Sequence, residues 1–198
     1  KVLEYEKTAI GRNWISSDSK NWYPFSRARK LVPSFVVVDL ITTGTNPVLD
    51  EIVQIAAIKF VNGQEKEQFS ALLKPTFPLP IEVQQAYPGL VKETKNATSL
   101  DSIWPSFLSF ISQQGRQENL VGVDSVSLIR FIIATTKRLG LEAEKLRILD
   151  LIKHAKKQLS LEKEPESVFY QHIDYHQKTR DRLSNCKALA ALYFSLLK

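Results

Sequence analysis

Asp39 closes the apolar run Phe35-Val36-Val37-Val38, and Leu40-Ile41 and the turn Thr42-Thr43-Gly44 follow it. A carboxylate at the mouth of a buried strand must be met by hydrogen-bond donors or by a cation, because an unpaired charge there is costly. The donors that the sequence offers are the Thr42 and Thr43 hydroxyls, nearby backbone amides, Asn185, and Arg180 if its helix comes close. The other residues able to do chemistry fall into two groups. Asp124 ends the run Leu120-Val121-Gly122-Val123, four residues before Leu128. His176, Arg180, Asp181 and Asn185 precede or enter the C-terminal apolar stretch, with Asp181 four residues before Asn185. Asp124 also reads as the N-cap of a helix beginning near Ser125. The single cysteine, Cys186, excludes an internal disulfide and reads as a small core residue. No Cys/His cluster has zinc spacing.

The segment Phe35–Pro47 resembles the first motif of the DEDDh (DnaQ-like) 3′–5′ exonucleases, which reads Asp-x-Glu where this chain has Asp39-Leu40-Ile41. The resemblance continues in order through Glu51–Phe60, Leu73-Lys74-Pro75, Leu120–Phe131, Arg147–Asp150 and Leu183–Phe194. An ordered series of matches over most of the chain is far more specific than any one of them. It implies a ribonuclease H-like fold. It also implies four carboxylates converging on two divalent ions, which activate a water and stabilise the leaving oxygen. Carried over position by position, those carboxylates fall at Asp39, Ile41, Leu128 and Asn185, and the family's general-base histidine falls at Arg180. Two aliphatic side chains, an amide and a guanidinium thus stand where acids and a base are expected.

The resemblance with these replacements leads to the expectation that the chain is not an enzyme. It would be an inactive exonuclease-like domain with vestigial positions Asp39, Ile41, Leu128, Arg180 and Asn185, and with neither metal nor cofactor. It would act as a binding module in DNA or RNA metabolism. Its expected partner is a protein such as a polymerase or helicase component, with weak affinity for single-stranded nucleic acid through Thr42, Thr43, Gly44, Arg27, Arg29 and Lys30. Ile41 and Leu128 are expected to be buried and packed near one another. The alternative is an active metal-dependent 3′–5′ exonuclease with relocated ligands Asp39, Asp124, Asp181 and His176. Against it, residues four apart on a helix lie about 6 Å apart along the axis, too far for one carboxylate to replace another.

The elements that must position these residues read as a meander followed by alternation. Strands are expected at about 35–40, 51–62 and 66–73, with Asn62-Gly63 as a two-residue hairpin turn. Pro75 to Pro80 ends the meander, and 81–86 can form a short helix. Ser99 is expected to cap a helix over 100–113. A strand at 120–123, a helix at 125–139 stopped by Gly140, a strand at 146–149 and a helix at 150–159 follow. A short helix at 168–177 and a last helix at 181–197 complete the chain. This order predicts an α/β fold: a five-stranded mixed sheet in the order 3-2-1-4-5, strand two antiparallel, with helices on both faces.

At 198 residues and 43% hydrophobic composition the chain has ample length for a core. No apolar run approaches the 18 residues that would suggest a membrane span, and an intracellular setting is expected. The net charge of +6 suits contact with nucleic acid. Residues 1–34 carry seven basic and three acidic residues, and Trp14, Trp22, Tyr23 and Phe25 interleave with Arg12, Arg27, Arg29 and Lys30. Such aromatic density is foreign to a free tail. The division expected is therefore an N-terminal extension, 1–34, packed on the core through Trp14 or Trp22, and an exonuclease-like domain, 35–198.

Overall fold

The computed structural model describes residues 25–112, 119–142, 146–163, 165, 167, 170–171 and 173–197. Six strands, β1 (Phe25–Arg27), β2 (Phe35–Thr42), β3 (Ile52–Val61), β4 (Gln64–Leu72), β5 (Asn119–Gly122) and β6 (Leu146–Asp150), form one sheet. The helices among the described residues are α1 (Ile81–Ala86), α2 (Leu90–Thr94), α3 (Leu100–Ile111), α4 (Ser125–Arg138), α5 (Leu151–Gln158) and α6 (Arg182–Leu196).

The strand order is β1-β6-β5-β2-β3-β4, with β3 antiparallel to both β2 and β4 and the remaining pairs parallel. The five expected strands take their expected order. The correction is the sixth: Phe25–Arg27 pairs in parallel with Leu146–Ile148. Three residues are too few to show a strand's alternation, so the pairing left no periodic signal. Residues 28–34 are tied down after it. The buried Asn119 Nδ2 donates to the Lys30 carbonyl at 2.9 Å and to the Tyr193 hydroxyl at 2.9 Å, and that hydroxyl donates to the Val32 carbonyl at 3.0 Å. The expected burial of Trp14 or Trp22 falls outside the described residues.

Alternation along β2 assigns its side chains to two cores. Phe35 and Val37 pack with Leu189, Cys186 and Tyr193 of α6 and with Ile152 and Ala155 of α5. Val36 and Val38 face Trp104 and Phe107 of α3 and Ile129 and Ile132 of α4. Stacking of Phe35 on Tyr193, with ring centroids 3.8 Å apart, fixes α6 across the sheet. The β3–β4 hairpin turns through Asn62 (φ 51°) and Gly63 (φ 79°), the left-handed pair that a two-residue turn requires. The Ser99 side chain does not cap α3; its hydroxyl meets that of Ser102 at 2.8 Å instead. The short helix α2 was not expected. It follows Gly89 at φ 89°, a turn conformation that periodicity does not report. The expected 168–177 helix is not seen over its second half: 170 and 171 are helical, but 173–177 are turns and irregular backbone, with Asp174 at φ 57°, and 168, 169 and 172 lie outside the described residues.

Candidate functional site

The C-terminal ends of β2 and β5 open into a cleft of about 180 Å³, with Asp39, Thr42, Asp124, Leu128 and Tyr175 among its walls. Asp124 stands here because it caps α4, accepting from the amides of Val126 (3.1 Å) and Ser127 (3.0 Å). Four residues on, Leu128 turns back against β5. A Cβ on Gly122 would come within 2.8 Å of the Leu128 Cδ2, so the glycine makes room for this packing.

Asp39 shares the α6 face of β2 with Phe35 and Val37 and is 8% exposed. Its carboxylate is fully engaged. Oδ1 accepts from the Leu40 amide at 3.0 Å and the Tyr175 hydroxyl at 3.2 Å. Oδ2 accepts from Arg182 Nη1 at 3.1 Å and Asn185 Nδ2 at 3.0 Å. These four donors match the roughly four lone-pair positions of a carboxylate.

Helix α6 supplies two of the donors for a local reason. Asp181 caps it, accepting from the Ser184 amide at 3.0 Å and the Ser184 hydroxyl at 2.6 Å. Those two bonds hold the Asp181 carboxyl below its ordinary range. With the helix starting there, Arg182 and Asn185, three apart, fall on one face. Arg182 is only 3% exposed. Its Nη2 donates to the Tyr87 hydroxyl at 2.6 Å and to the Gln177 carbonyl at 2.9 Å, and its guanidinium lies over the Tyr87 ring. Burial works against its charge, but Asp39, followed by Tyr87 and Tyr175, more than offsets this and holds the group above its ordinary value. Burial and the neighbouring Asp39 charge push the Tyr175 hydroxyl far above the usual range, so it remains a donor. Asn185 is saturated as well: Oδ1 accepts from the His176 amide and Nδ2 also reaches the His176 carbonyl, both at 3.0 Å.

Of the donors that the sequence offered to Asp39, the structure uses Asn185 and a backbone amide and leaves the others elsewhere. Arg180 pairs with Glu93 and reaches the Pro88 carbonyl. The Thr42 hydroxyl donates to the Gly44 carbonyl at 2.7 Å, and that of Thr43 donates to Asp50. Ile41 and Leu128 are both buried, as expected, but join different packed groups. Ile41 sits with Val53, Leu79, Val83 and Leu90, whereas Leu128 sits with Val38 and the α3–α4 core. The space around Asp39 is filled by Arg182 and Tyr175 rather than by those two side chains meeting. Of the missed residues, Arg182 carries one signal, since the reach that forbids a carboxylate one turn away poses no obstacle to an arginine, and Tyr175 carries none.

The relocated set is not brought together. Asp39 is ion-paired, Asp124 and Asp181 cap helices, and the exposed His176 ring meets Asp174 at 2.8 Å. Among the described residues no group of three or more His, Cys, Asp or Glu side chains converges. Nor are the basic candidates in this cleft. Arg27 is level with Ile148, and Lys30 is tied to Asn119, which pairs with Phe35 at the opposite end of β2. Two divalent ions therefore do not fit the residues as arranged, because every lone pair of the Asp39 carboxylate already has a donor.

Residues 36–178 match the exonuclease family RNase_T. A PolC-type DNA polymerase III of Caldanaerobacter subterraneus subsp. tengcongensis is 27% identical over 169 residues, which cover 83% of this chain and 12% of the polymerase. A putative bifunctional exonuclease/endonuclease protein of Mycobacterium tuberculosis is 26% identical over 152 residues, 73% of this chain and 23% of that protein. The chain thus spans less than a quarter of the length of these relatives. Among solved structures, the zinc-bound E. coli exonuclease I complex with single-stranded DNA superposes with a TM-score of 0.64 at 16% identity, over 80% of this chain and 39% of that one. Among the described residues no helix is long and apolar enough to cross a membrane. The expectation that the chain is not an enzyme is overturned by these likenesses: the matched family is one of exonucleases, and the relatives are named for nuclease and polymerase activity. The chain belongs to the exonuclease family RNase_T, carried on a ribonuclease H-like fold.

Proposed function

We propose that the chain is an exonuclease domain of DNA metabolism that takes the end of a single strand into the cleft beside Asp39. The observation that carries this reading is positional. Asp39 and Asp124, at the C-terminal ends of two adjacent parallel strands, line one cleft within the span matched to the exonuclease family. Ligands of open α/β sheets gather at that end of the strands. Thr42 lends a wall, and the net charge of +6 favours a polyanion. Single-stranded DNA is the substrate class that fits best, because the E. coli exonuclease I that shares the fold is seen with it. A DNA polymerase assembly, inside the cell, is the fitting context, since PolC-type polymerases contain a stretch similar to this chain. Phosphodiester hydrolysis is the reaction class.

The experiment uses end-labelled single-stranded and duplex DNA with magnesium, manganese or a chelator, and reads both anisotropy and strand length. The expected result is binding preferential for single-stranded ends, weakened by Thr42→Glu, which puts an opposing charge at the cleft wall. Shortening lost in Asp39→Ala assigns hydrolysis to this cleft. Neither binding nor shortening with any strand would sink the reading.

A further inference from the structure

We infer that Arg182 is the resident cation of the cleft, closing Asp39 to divalent ions. By the resemblance to the DEDDh exonucleases, a divalent ion would need the Asp39 carboxylate and the position held by Asn185. Here Arg182 Nη1 and Asn185 Nδ2 meet the same oxygen, Oδ2, at 3.1 and 3.0 Å. A cation bound to that oxygen must displace both donors, and the other oxygen is held by Tyr175 and the Leu40 amide.

The guanidinium is built in rather than resting on the surface. Its second nitrogen is committed to Tyr87 and to the Gln177 carbonyl, the Tyr87 ring supports its face, and Tyr87 is itself anchored to Gln177 at 3.0 Å. Withdrawing it would strip three hydrogen bonds from a buried charge and leave Asp39 alone in a low-dielectric site. An incoming ion would also shed part of its own hydration shell to do so. Ion admission is independent of whether the cleft takes a strand end, so the two can fail separately.

The test reads manganese uptake by the loss of the free-ion paramagnetic resonance signal. It compares the wild type, Asp39→Ala, Asn185→Asp, and Asn185→Asp combined with Arg182→Gln, with folding checked by circular dichroism. The wild type is expected to take up no more manganese than Asp39→Ala. Asn185→Asp restores a carboxylate but keeps the guanidinium, and should stay silent. The combined variant has two carboxylates and no resident cation, and should bind about tenfold to a thousandfold more tightly than Asn185→Asp, the roughly 1–3 log units by which a charge at such range shifts an ionic equilibrium. Asp39-dependent uptake by the wild type overturns the inference. So does equal uptake by the two Asn185→Asp proteins, or a folded combined variant that takes up none. If the combined variant does not fold, the wild-type comparison still decides: uptake equal to that of Asp39→Ala supports the closure, and uptake above it refutes it.

Discussion

Removing Arg182 should be among the most damaging single changes that this fold can suffer. At an effective dielectric of about 20, a charge pair 3.1 Å apart attracts by roughly 5 kcal/mol. Much of that merely repays desolvation, so the net worth of the pair is smaller, yet breaking it from one side strands the other charge. Arg182→Met should therefore cost about 3–5 kcal/mol. In a protein of this size that lowers the melting temperature by roughly 6–20 °C. Asp39→Asn strands the guanidinium and should cost a similar amount, somewhat eased because Tyr87 and Gln177 still accept from it. The double variant removes both charges together. It should cost far less than the sum, with a coupling energy of about 2–4 kcal/mol within the range found for contacting residues. Urea unfolding of all four proteins supplies the cycle. Two mild single effects, each under about 1 kcal/mol and adding within about 0.5 kcal/mol, would mean that the pair is solvated in solution and would refute the reasoning.

Leu128→Asp should destabilise the protein by several kcal/mol, more than Leu128→Ala, because an acid would be driven against Gly122 and Val38 with no donor in place; denaturant midpoints for the two variants check the order. Asp181→Ala should cost about 1 kcal/mol near neutrality through loss of the α6 cap. Since the Ser184 bonds lower the Asp181 carboxyl in the folded state, its contribution is present above the unfolded value near 3.8 and is lost as pH falls through the lower folded value. The gap in melting temperature between wild type and Asp181→Ala should accordingly narrow below about pH 4, and a gap that widens on acidification would contradict the sign.

The scaffold was legible wherever one local rule dominated. The unbroken apolar run at Phe35–Val38 marked a strand covered on both faces, Asn62-Gly63 marked the β3–β4 hairpin, and Asp124 marked a helix start; each is seen in the structure. The site was legible only in part. Asn185 is legible as a donor to Asp39 because the resemblance places its position beside that carboxylate. Arg180 was preferred to Arg182 because it occupied the position of a family residue, yet two residues along a helix start is more than half a turn, and Glu93 draws Arg180 the other way. The Tyr175 hydroxyl reaches Asp39, and the Tyr87 hydroxyl meets Arg182, through side-chain bonds between residues 136 and 95 apart in sequence, and nothing in their local sequence announces it. Neither arginine's destination could be decided without knowing where the α2 region and residues 173–180 pack.

The two margins of the sheet differ in how they refuse company. At β4 the strand carries an exposed run of Gln64, Glu65, Lys66, Glu67 and Gln68, so a neighbour that tried to extend the sheet there would confront a row of alternating charges. Strand β6 has little such protection of its own, being apolar and largely buried on both faces. Its free backbone groups are taken instead by the three residues of β1, and the loop behind that strand is knotted to the core by Tyr193 and Asn119. The short strand is thus a stopper on an otherwise adhesive border. Loss of this stopper would leave the two packed cores in place while giving the sheet, among the described residues, an open edge on which another strand could seat.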